Sequence, residues 1–177
     1  RPPLTLEQAR AWATLQGMTG QALMASDRMM DLPSERVEIL KKVFPALDIK
    51  PMDLFPSKRN KRIWDLKINH LNRNYDVVAL FNFKERESEF IYLSWIEIGL
   101  EDEPIHIFDF WEGEYLGAWE GGLSIEIPPT SVKVFALLPD NGKVQLIATN
   151  RHITQGVEEI LSLTTKENSI EGKSKVI

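Results

Sequence analysis

Residues 122–138 read GLSIEIPPTSVKVFALL, and this stretch contains the clearest strand pattern of the chain. In residues 123–127 and again in 132–135, apolar residues alternate with polar or small ones, which gives each segment one apolar face. Pro128 and Pro129 separate the two segments and favour a turn. Because the alternation has a period of two, the pattern predicts two β-strands that each bury one face.

Similar segments, rich in β-branched and aromatic residues, recur from residue 53 onward and are separated by turn signals. They predict strands at residues 62–68, 75–82, 89–95, 105–111, 114–117, 122–127, 131–138 and 144–149. The turn sequence at 139–142 (PDNG) predicts a hairpin that joins the last two, and residues 157–161 indicate the start of a further strand. This spacing is typical of an antiparallel β-sandwich, so the fold class is expected to be mainly β, with Trp64 and Phe81 inside the sandwich.

The first 45 residues differ, because their pattern predicts a helix, a strand and a second helix. Thr5 and Gln8 are spaced as a capping box, and Ala9, Trp12 and Ala13 share one face of the helix that follows. Residues 21–25 form an apolar run typical of a strand buried on both faces. Pro33 fits the first turn of the second helix, whose predicted buried stripe consists of Val37, Leu40, Val43 and Phe44. A parallel strand needs partners, so this series indicates a piece of a larger β/α architecture.

Composition excludes several classes of function. The net charge of −5 disfavours a nucleic-acid partner, since phosphate binding needs a basic surface, and we expect the cluster at Lys58, Arg59, Lys61 and Arg62 to be a solvated loop. No apolar run is long enough to predict a membrane span. Cysteine is absent, which removes disulfides, thiolate metal sites and cysteine nucleophiles. The three histidines are dispersed, so neither a metal site nor a cofactor is predicted.

Seven short motifs occur in a characteristic order. Three lie in the first part of the chain, at residues 20–27 (GQALMASD), 32–36 (LPSER) and 51–55 (PMDLF). Four lie in the second part, at residues 63–66 (IWDL), 77–82 (VVALFN), 109–113 (DFWEG) and 150–156 (NRHITQG). Their order over nearly the whole chain resembles the C-terminal part of clan D glycoside hydrolases, the α-galactosidases of families 27 and 36 and the related raffinose synthases.

The resemblance implies a protein with a (β/α)8 catalytic barrel, a retaining mechanism on α-D-galactosides and two catalytic Asp residues on earlier barrel strands. A barrel needs about 250 residues. We therefore expect residues 1–50 to be the terminal portion of an incomplete barrel and residues 51–177 to be a C-terminal β-sandwich of Greek-key type, whose strands continue past the end. The expected partner is the missing N-terminal barrel of the same protein. No catalytic residue is assigned in this chain, which is predicted to be inactive by itself.

One residue of the first part is a candidate for contact with the substrate. Asp27 follows the predicted barrel strand, and active sites are built at the C-terminal ends of barrel strands. The alternative is that Asp27 caps the next segment or pairs with Arg28 or Arg36. Ser26 lacks the glycine-flanked turn of hydrolase nucleophiles, so it is not predicted to be one.

Aromatic residues of the second part have two possible roles. Trp111, Tyr115 and Trp119 are candidates for stacking on sugar rings, although such residues also form cores and domain interfaces. A stacking role leaves open a free-standing carbohydrate-binding module, and a structural interaction domain is a third possibility. Acidic pairs such as Asp109 with Glu112 are expected at solvated edges, and His152 is expected to make structural hydrogen bonds.

Overall fold

The structure is a computed structural model that describes residues 3–20, 22–25, 28–46 and 61–175. Helix α1 spans Leu6–Gly17, a 3₁₀ turn spans Met29–Asp31, and helix α2 spans Ser34–Lys41. The capping box of α1 is confirmed: Thr5 accepts from the amide of Gln8, and the Gln8 side chain accepts from the amide of Thr5. The buried residues at the second helix are Ile39 and Val43, whereas Val37, Leu40 and Phe44 are only partly buried.

Of the strand predicted at 21–25, the described residues 22–25 form no strand. Residues 22–25 have no strand pairing, and Met24 is 84% exposed. A buried parallel strand requires neighbours that accept and donate its ladder hydrogen bonds, and the described residues supply no such neighbour here. The prediction is therefore wrong for this chain as it stands.

Nine strands form in the described part of the chain, in three sheets. A five-stranded antiparallel sheet has the order β1-β2-β7-β4-β5, a two-stranded ribbon pairs β3 with β6, and a hairpin pairs β8 with β9. The chain crosses between the large sheet and the ribbon from β2 to β3, β3 to β4, β5 to β6 and β6 to β7. The return of β7 to the side of β4 is the Greek-key connection. The strands are β1 Ile63–His70, β2 Arg73–Asn82, β3 Glu89–Ser94, β4 Ile105–Asp109, β5 Glu114–Trp119, β6 Gly122–Ile127, β7 Ser131–Pro139, β8 Ile160–Thr165 and β9 Ile170–Ser174.

The large sheet is covered on both faces, which makes a three-layer arrangement. On one face, a helix-side core packs the sheet against α1, α2 and the loop at 147–157; it includes Ala13, Met18, Val43, Val77, Phe81, Phe110, Trp111, Val134 and Ile153. On the other face, an inter-sheet core packs the sheet against the β3–β6 ribbon; it includes Val78, Leu80, Ile91, Leu93, Trp95, Ile105, Ile107, Ile127 and Phe135. Alternate residues of β2 and β7 enter the two cores, as the period of two requires.

Trp64 and Phe81 belong to the helix-side core rather than to the space between the two sheets. Phe81 is fully buried, Trp64 is partly buried, and their ring centroids lie 5.0 Å apart. The sequence pattern indicates that these positions are covered, but it does not indicate by which layer.

The hairpin predicted after β7 is wrong. Both edges of β7 are occupied, by β2 on one side and β4 on the other, so a strand at 144–149 has no edge to join. Side chains instead organise the segment: Asp140 and Asn141 accept from the amides of Gly142 and Lys143, and Gln145 donates to the carbonyl of Pro139. Such local side-chain bonds are typical of turns. The next strand, β8, begins only at Ile160.

Candidate functional site

The contact region between the two helices and the large sheet is the candidate functional site, and we call it the joint. Its sandwich side consists of residues 109–113 and 150–156, and its helical side consists of α1 and the residues that end α2. These two sandwich segments are two of the motifs that carry the family resemblance. Motifs far apart in the sequence therefore meet at one surface of the fold.

Trp111 is the central side chain of the joint. It is 6% exposed, and its indole Nε1 donates to Oγ1 of Thr14 in α1 over 3.1 Å. Its ring packs edge-on against Phe110, with 5.0 Å between centroids. Since a buried indole is covered on both faces, Trp111 has no free face for a sugar in this fold, and its contact is with the helix.

Three cations and two carboxylates surround this aromatic pair. Arg10 bonds to Glu112 over 3.1 Å, and Lys133 bonds to the buried Asp109 over 3.0 Å. The ammonium group of Lys42 lies 4.8 Å from the Phe110 ring centroid, within the range of a cation–π contact. The expectation that Asp109 lies at a solvated edge is wrong, because its carboxylate also accepts from the amides of Trp111 and Glu112 and so holds the turn.

The two lysines of the joint respond differently to burial. Burial lowers the pKa of Lys42, the neighbouring Arg10 lowers it further, and the nearby carboxylates do not offset these effects. Burial also disfavours the charged form of Lys133, but the hydrogen bond and charge of Asp109, together with Glu112, outweigh it and raise the pKa of Lys133. The raised pKa keeps Lys133 cationic at neutral pH, and its charge is paired with that of the buried Asp109.

The 150–156 segment fastens the end of α2. The amide of Ile153 donates to the carbonyl of Lys42 over 2.8 Å, and Nε2 of His152 lies 3.1 Å from the carbonyl of Pro45. Nδ1 of His152 lies 2.8 Å from the hydroxyl of Thr154. His152 is 1% exposed, and burial lowers its pKa, so the neutral imidazole makes these bonds. This agrees with the expected structural role.

Side chains of strand β2 also bond to the 150–156 segment and to the residues just before it. The hydroxyl of Tyr75 donates to the carbonyl of Thr154 over 2.6 Å, and the Arg73 guanidinium stacks on the Tyr75 ring at 4.4 Å. Nη2 of Arg73 donates to the carbonyl of Ile147. Burial raises the pKa of Tyr75, so the phenol keeps its proton and remains a donor. The loop is therefore fixed from both sides.

The remaining predicted site residues do not join this region. Asp27 lies outside the described residues. Tyr115 and Trp119 are each about half exposed, but Tyr115 pairs with Phe108 and Trp119 with Ile105, and a bulge lies between these pairs. Since Phe108 and Ile105 are three residues apart on β4, they face opposite sides of the sheet. The two aromatic side chains thus do not form one platform.

The contacts of the joint are structural rather than catalytic. A retaining glycosidase needs two carboxylates about 5–5.5 Å apart beside the substrate, whereas Asp109 is buried and bonded to Lys133. Within the described ranges, no group of three His, Asp or Glu side chains could hold a metal ion. In the same ranges, no helix is long and apolar enough to cross a membrane.

Sequence reasoning missed the helical half of the joint. Thr14, Arg10 and Lys42 carry its hydrogen bonds and charges, yet each reads as an ordinary helix residue. The available signal is that Thr14 follows Ala13 on the apolar face of α1, where a hydroxyl needs a partner. The buried Arg73 and Tyr75 are also missed, because Arg73 reads as part of a turn at 72–74 and Tyr75 as the first residue of a strand.

Comparisons with known proteins agree with this architecture. Residues 65–137 match the family described as the alpha galactosidase C-terminal beta sandwich domain. The fold is similar to α-galactosidase I from Mortierella vinacea, with a TM-score of 0.62 and 15% identity over 77% of this chain and 36% of that one. A putative α-N-acetylgalactosaminidase from Bacillus halodurans gives a TM-score of 0.65 and 18% identity, covering 77% of this chain and 33% of that one.

A family 27 β-L-arabinopyranosidase from Geobacillus stearothermophilus gives a TM-score of 0.63 and 20% identity, covering 77% of this chain and 31% of that one. The chain thus spans about a third of the length of these solved structures. No curated protein sequence matches it. Residues 65–137 of the sandwich are thus similar to the alpha galactosidase C-terminal beta sandwich domain, and the fold of the chain is similar to about a third of each of these solved structures.

Proposed function

We propose that this chain is the accessory C-terminal part of an α-galactosidase-like glycoside hydrolase, in which the sandwich stabilises a catalytic barrel that acts on α-D-galactosides. Residues 1–50 are, in this proposal, the last barrel elements, and residues 51–177 are the sandwich. The joint is the observation that supports it, because motifs 109–113 and 150–156 bond directly to the two helices.

Exposed apolar side chains of the helical segment support the same proposal. Five large ones are exposed: Leu4, Trp12, Met24, Met29 and Met30. Leu4 and Trp12 border a groove that Phe81 and Phe83 of the sandwich also line. Single exposed apolar residues are common on surfaces, but this number within one short segment fits a surface that another domain covers.

The proposal is tested by comparing the α-galactosidase activity of the chain with that of a longer protein that includes the upstream region. The 177-residue chain alone should not hydrolyse an aryl α-galactoside above background, while a product extended upstream by a barrel should do so. Turnover by the chain alone, abolished by a point substitution within it, would contradict the proposal. An upstream coding sequence without a (β/α)8 pattern would contradict it as well.

Asp27 remains our candidate for a residue close to the substrate in that longer enzyme. A carboxylate at the end of a barrel strand can accept a hydrogen bond from a sugar hydroxyl or orient a catalytic group. Asp27→Asn in the complete enzyme should then lower kcat/KM at least tenfold, about 1.4 kcal/mol of transition-state binding, with little change in Tm. If Asp27 is a cap or ion-pair partner, the substitution should lower the free energy of unfolding by about 1 kcal/mol, and Tm with it. It should then leave kcat/KM within about threefold.

A further inference from the structure

The β3–β6 ribbon presents two aromatic side chains on its outer face. Its inner face enters the inter-sheet core through residues such as Ile91 and Leu93. The alternate residues of β3 point outward, and there Phe90 is 72% exposed and Tyr92 is 59% exposed. Two large aromatic residues at positions i and i+2 of one strand are neighbours on the same surface.

The ring of Tyr92 is held across the ribbon. Its hydroxyl donates to the carbonyl of Gly121 over 3.3 Å. A Cβ atom added to Gly122 would lie 2.9 Å from Oη and 3.0 Å from Cζ of Tyr92, so the ring occupies the space that a side chain would fill. Gly122 also has a φ of +156°, which L side chains rarely adopt. The glycine therefore lets one face of the phenol ring rest on the backbone while the other remains open.

Polar side chains lie directly opposite the two aromatic residues. Ser124 pairs with Tyr92, and Glu126 pairs with Phe90, and both polar residues are exposed. The outer face thus combines two flat apolar rings with a hydroxyl donor and a carboxylate acceptor. Each ring has one of these polar groups directly across the ribbon. This combination matches a pyranose, which has an apolar C–H face and a rim of hydroxyl groups.

The outer face of the ribbon is by itself too small for a stable protein interface. Each strand has six residues, so the face is about 20 Å long and about 10 Å wide, or roughly 200 Å². A stable protein partner needs about 800 Å² on each side. The chain is also acidic, with a net charge of −5, which disfavours polyanionic ligands.

We propose that the outer face of the β3–β6 ribbon is a binding site for a neutral polysaccharide, with Tyr92 and Phe90 stacking on consecutive sugar rings and Glu126 and Ser124 bonding to their hydroxyl groups. The site is separate from the joint, because the ribbon and the helices pack on opposite faces of the large sheet. It does not depend on the accessory function proposed above.

The test is affinity electrophoresis of the purified chain in native gels that contain galactomannan, dextran or soluble starch. We expect at least one of these polymers to retard the protein. Phe90→Ser and Tyr92→Ala should each weaken the apparent affinity at least tenfold, because each removes a stacking ring. Tyr92→Phe keeps the ring and should retain most of the affinity, and Ile96→Ser removes an exposed apolar side chain outside the strands and should change nothing.

Three results would contradict polysaccharide binding by the ribbon. Lack of retardation by all three polymers would do so, as would equal retardation of the wild type and Phe90→Ser. Phe90 is well exposed, so this variant should fold even if Tyr92→Ala does not. If sedimentation shows that the wild type dimerises and Phe90→Ser does not, the face is an interface between copies of the chain and the proposal is wrong.

Discussion

Thr14 connects α1 to the sandwich through one buried hydrogen bond. Its hydroxyl accepts from Nε1 of Trp111 and donates to the carbonyl of Arg10, and the residue is fully buried. Thr14→Val keeps the shape but leaves the indole donor without an acceptor, which costs about 1–3 kcal/mol. We expect urea unfolding to show a loss of this size.

Thr164→Val provides the matched control for this measurement. Thr164 is an exposed residue of β8, and surface substitutions change stability by less than about 0.5 kcal/mol. Equal stabilities of the two variants would mean that the bond between Thr14 and Trp111 does not hold the helix to the sheet.

His152 makes the stability of the joint depend on pH. Burial lowers its pKa in the folded state, whereas the unfolded chain has the usual value of about 6.5. Between these two pKa values the unfolded state binds more protons, so the free energy of unfolding rises with pH in this window. The contribution is complete above about pH 6.5 and is lost as the pH falls toward the folded-state pKa.

We therefore expect Tm to fall between pH 7.5 and 5.5 in the wild type, and to fall less in His152→Asn. Both proteins are compared by thermal unfolding in the same buffers. Identical pH slopes would show that the protonation of His152 is not coupled to unfolding.

At the scale of the elements, substitutions at two glycines distinguish the cost of backbone strain from the cost of a steric collision. Gly142 and Gly122 both have positive φ, but a Cβ at Gly142 meets nothing within 4 Å, whereas one at Gly122 collides with the carbonyl of Leu93 and with Tyr92. Gly142→Ala should cost about 1–2 kcal/mol, from the left-handed conformation alone. Gly122→Ala should cost about 3 kcal/mol or more, because overpacking adds to the strain.

Equilibrium unfolding of both variants measures this difference. If Gly122→Ala is no more destabilising than Gly142→Ala, the ribbon does not hold the close contact between β3 and β6 described above. The comparison also checks the position of Tyr92 without reference to any ligand.

The strands of the sandwich were predictable because local alternation and turn residues decide them. Strands β1 to β7 lie close to the predicted segments, and β6 and β7 match the two runs of alternation at 123–127 and 132–135. Local pattern fails where pairing is decided by other strands: residues 144–149 are apolar enough for a strand, but β2 and β4 already occupy β7. Residues 22–25 form no strand for a different reason, because no strand of the described part of the chain pairs with them.

The joint was predictable only in part, since its contacts connect distant parts of the chain. The resemblance identified 109–113 and 150–156 as significant segments, but the bond from Trp111 to Thr14 spans 97 residues. A pattern read along the sequence shows that Trp111 is aromatic and near a turn, which fits a sugar platform as well as a core. Burial against α1 decides between the two.

At the scale of the whole molecule, the exposure of Trp12 on α1 leads to a prediction about the longer protein. Trp12 is 58% exposed, so in the chain alone Trp12→Ser removes few buried contacts and should reduce stability by less than about 1 kcal/mol. If a barrel covers α1, the same side chain becomes buried, and its removal should cost about 3–5 kcal/mol. The two values are measured by denaturant unfolding of the chain and of the barrel-containing protein.

Trp119→Ser is the internal control for that comparison, because Trp119 is similarly exposed but lies on β5, at the opposite edge of the large sheet from β1 and away from α1. Its removal should have the same small effect in both proteins, so that any increase seen with Trp12→Ser reports cover over α1 and not a general change in stability. A small effect of Trp12→Ser in both proteins would mean that this face of α1 stays open to solvent. The barrel would then have to contact the sandwich elsewhere, and the exposed apolar side chains of the helical segment would no longer support the accessory role.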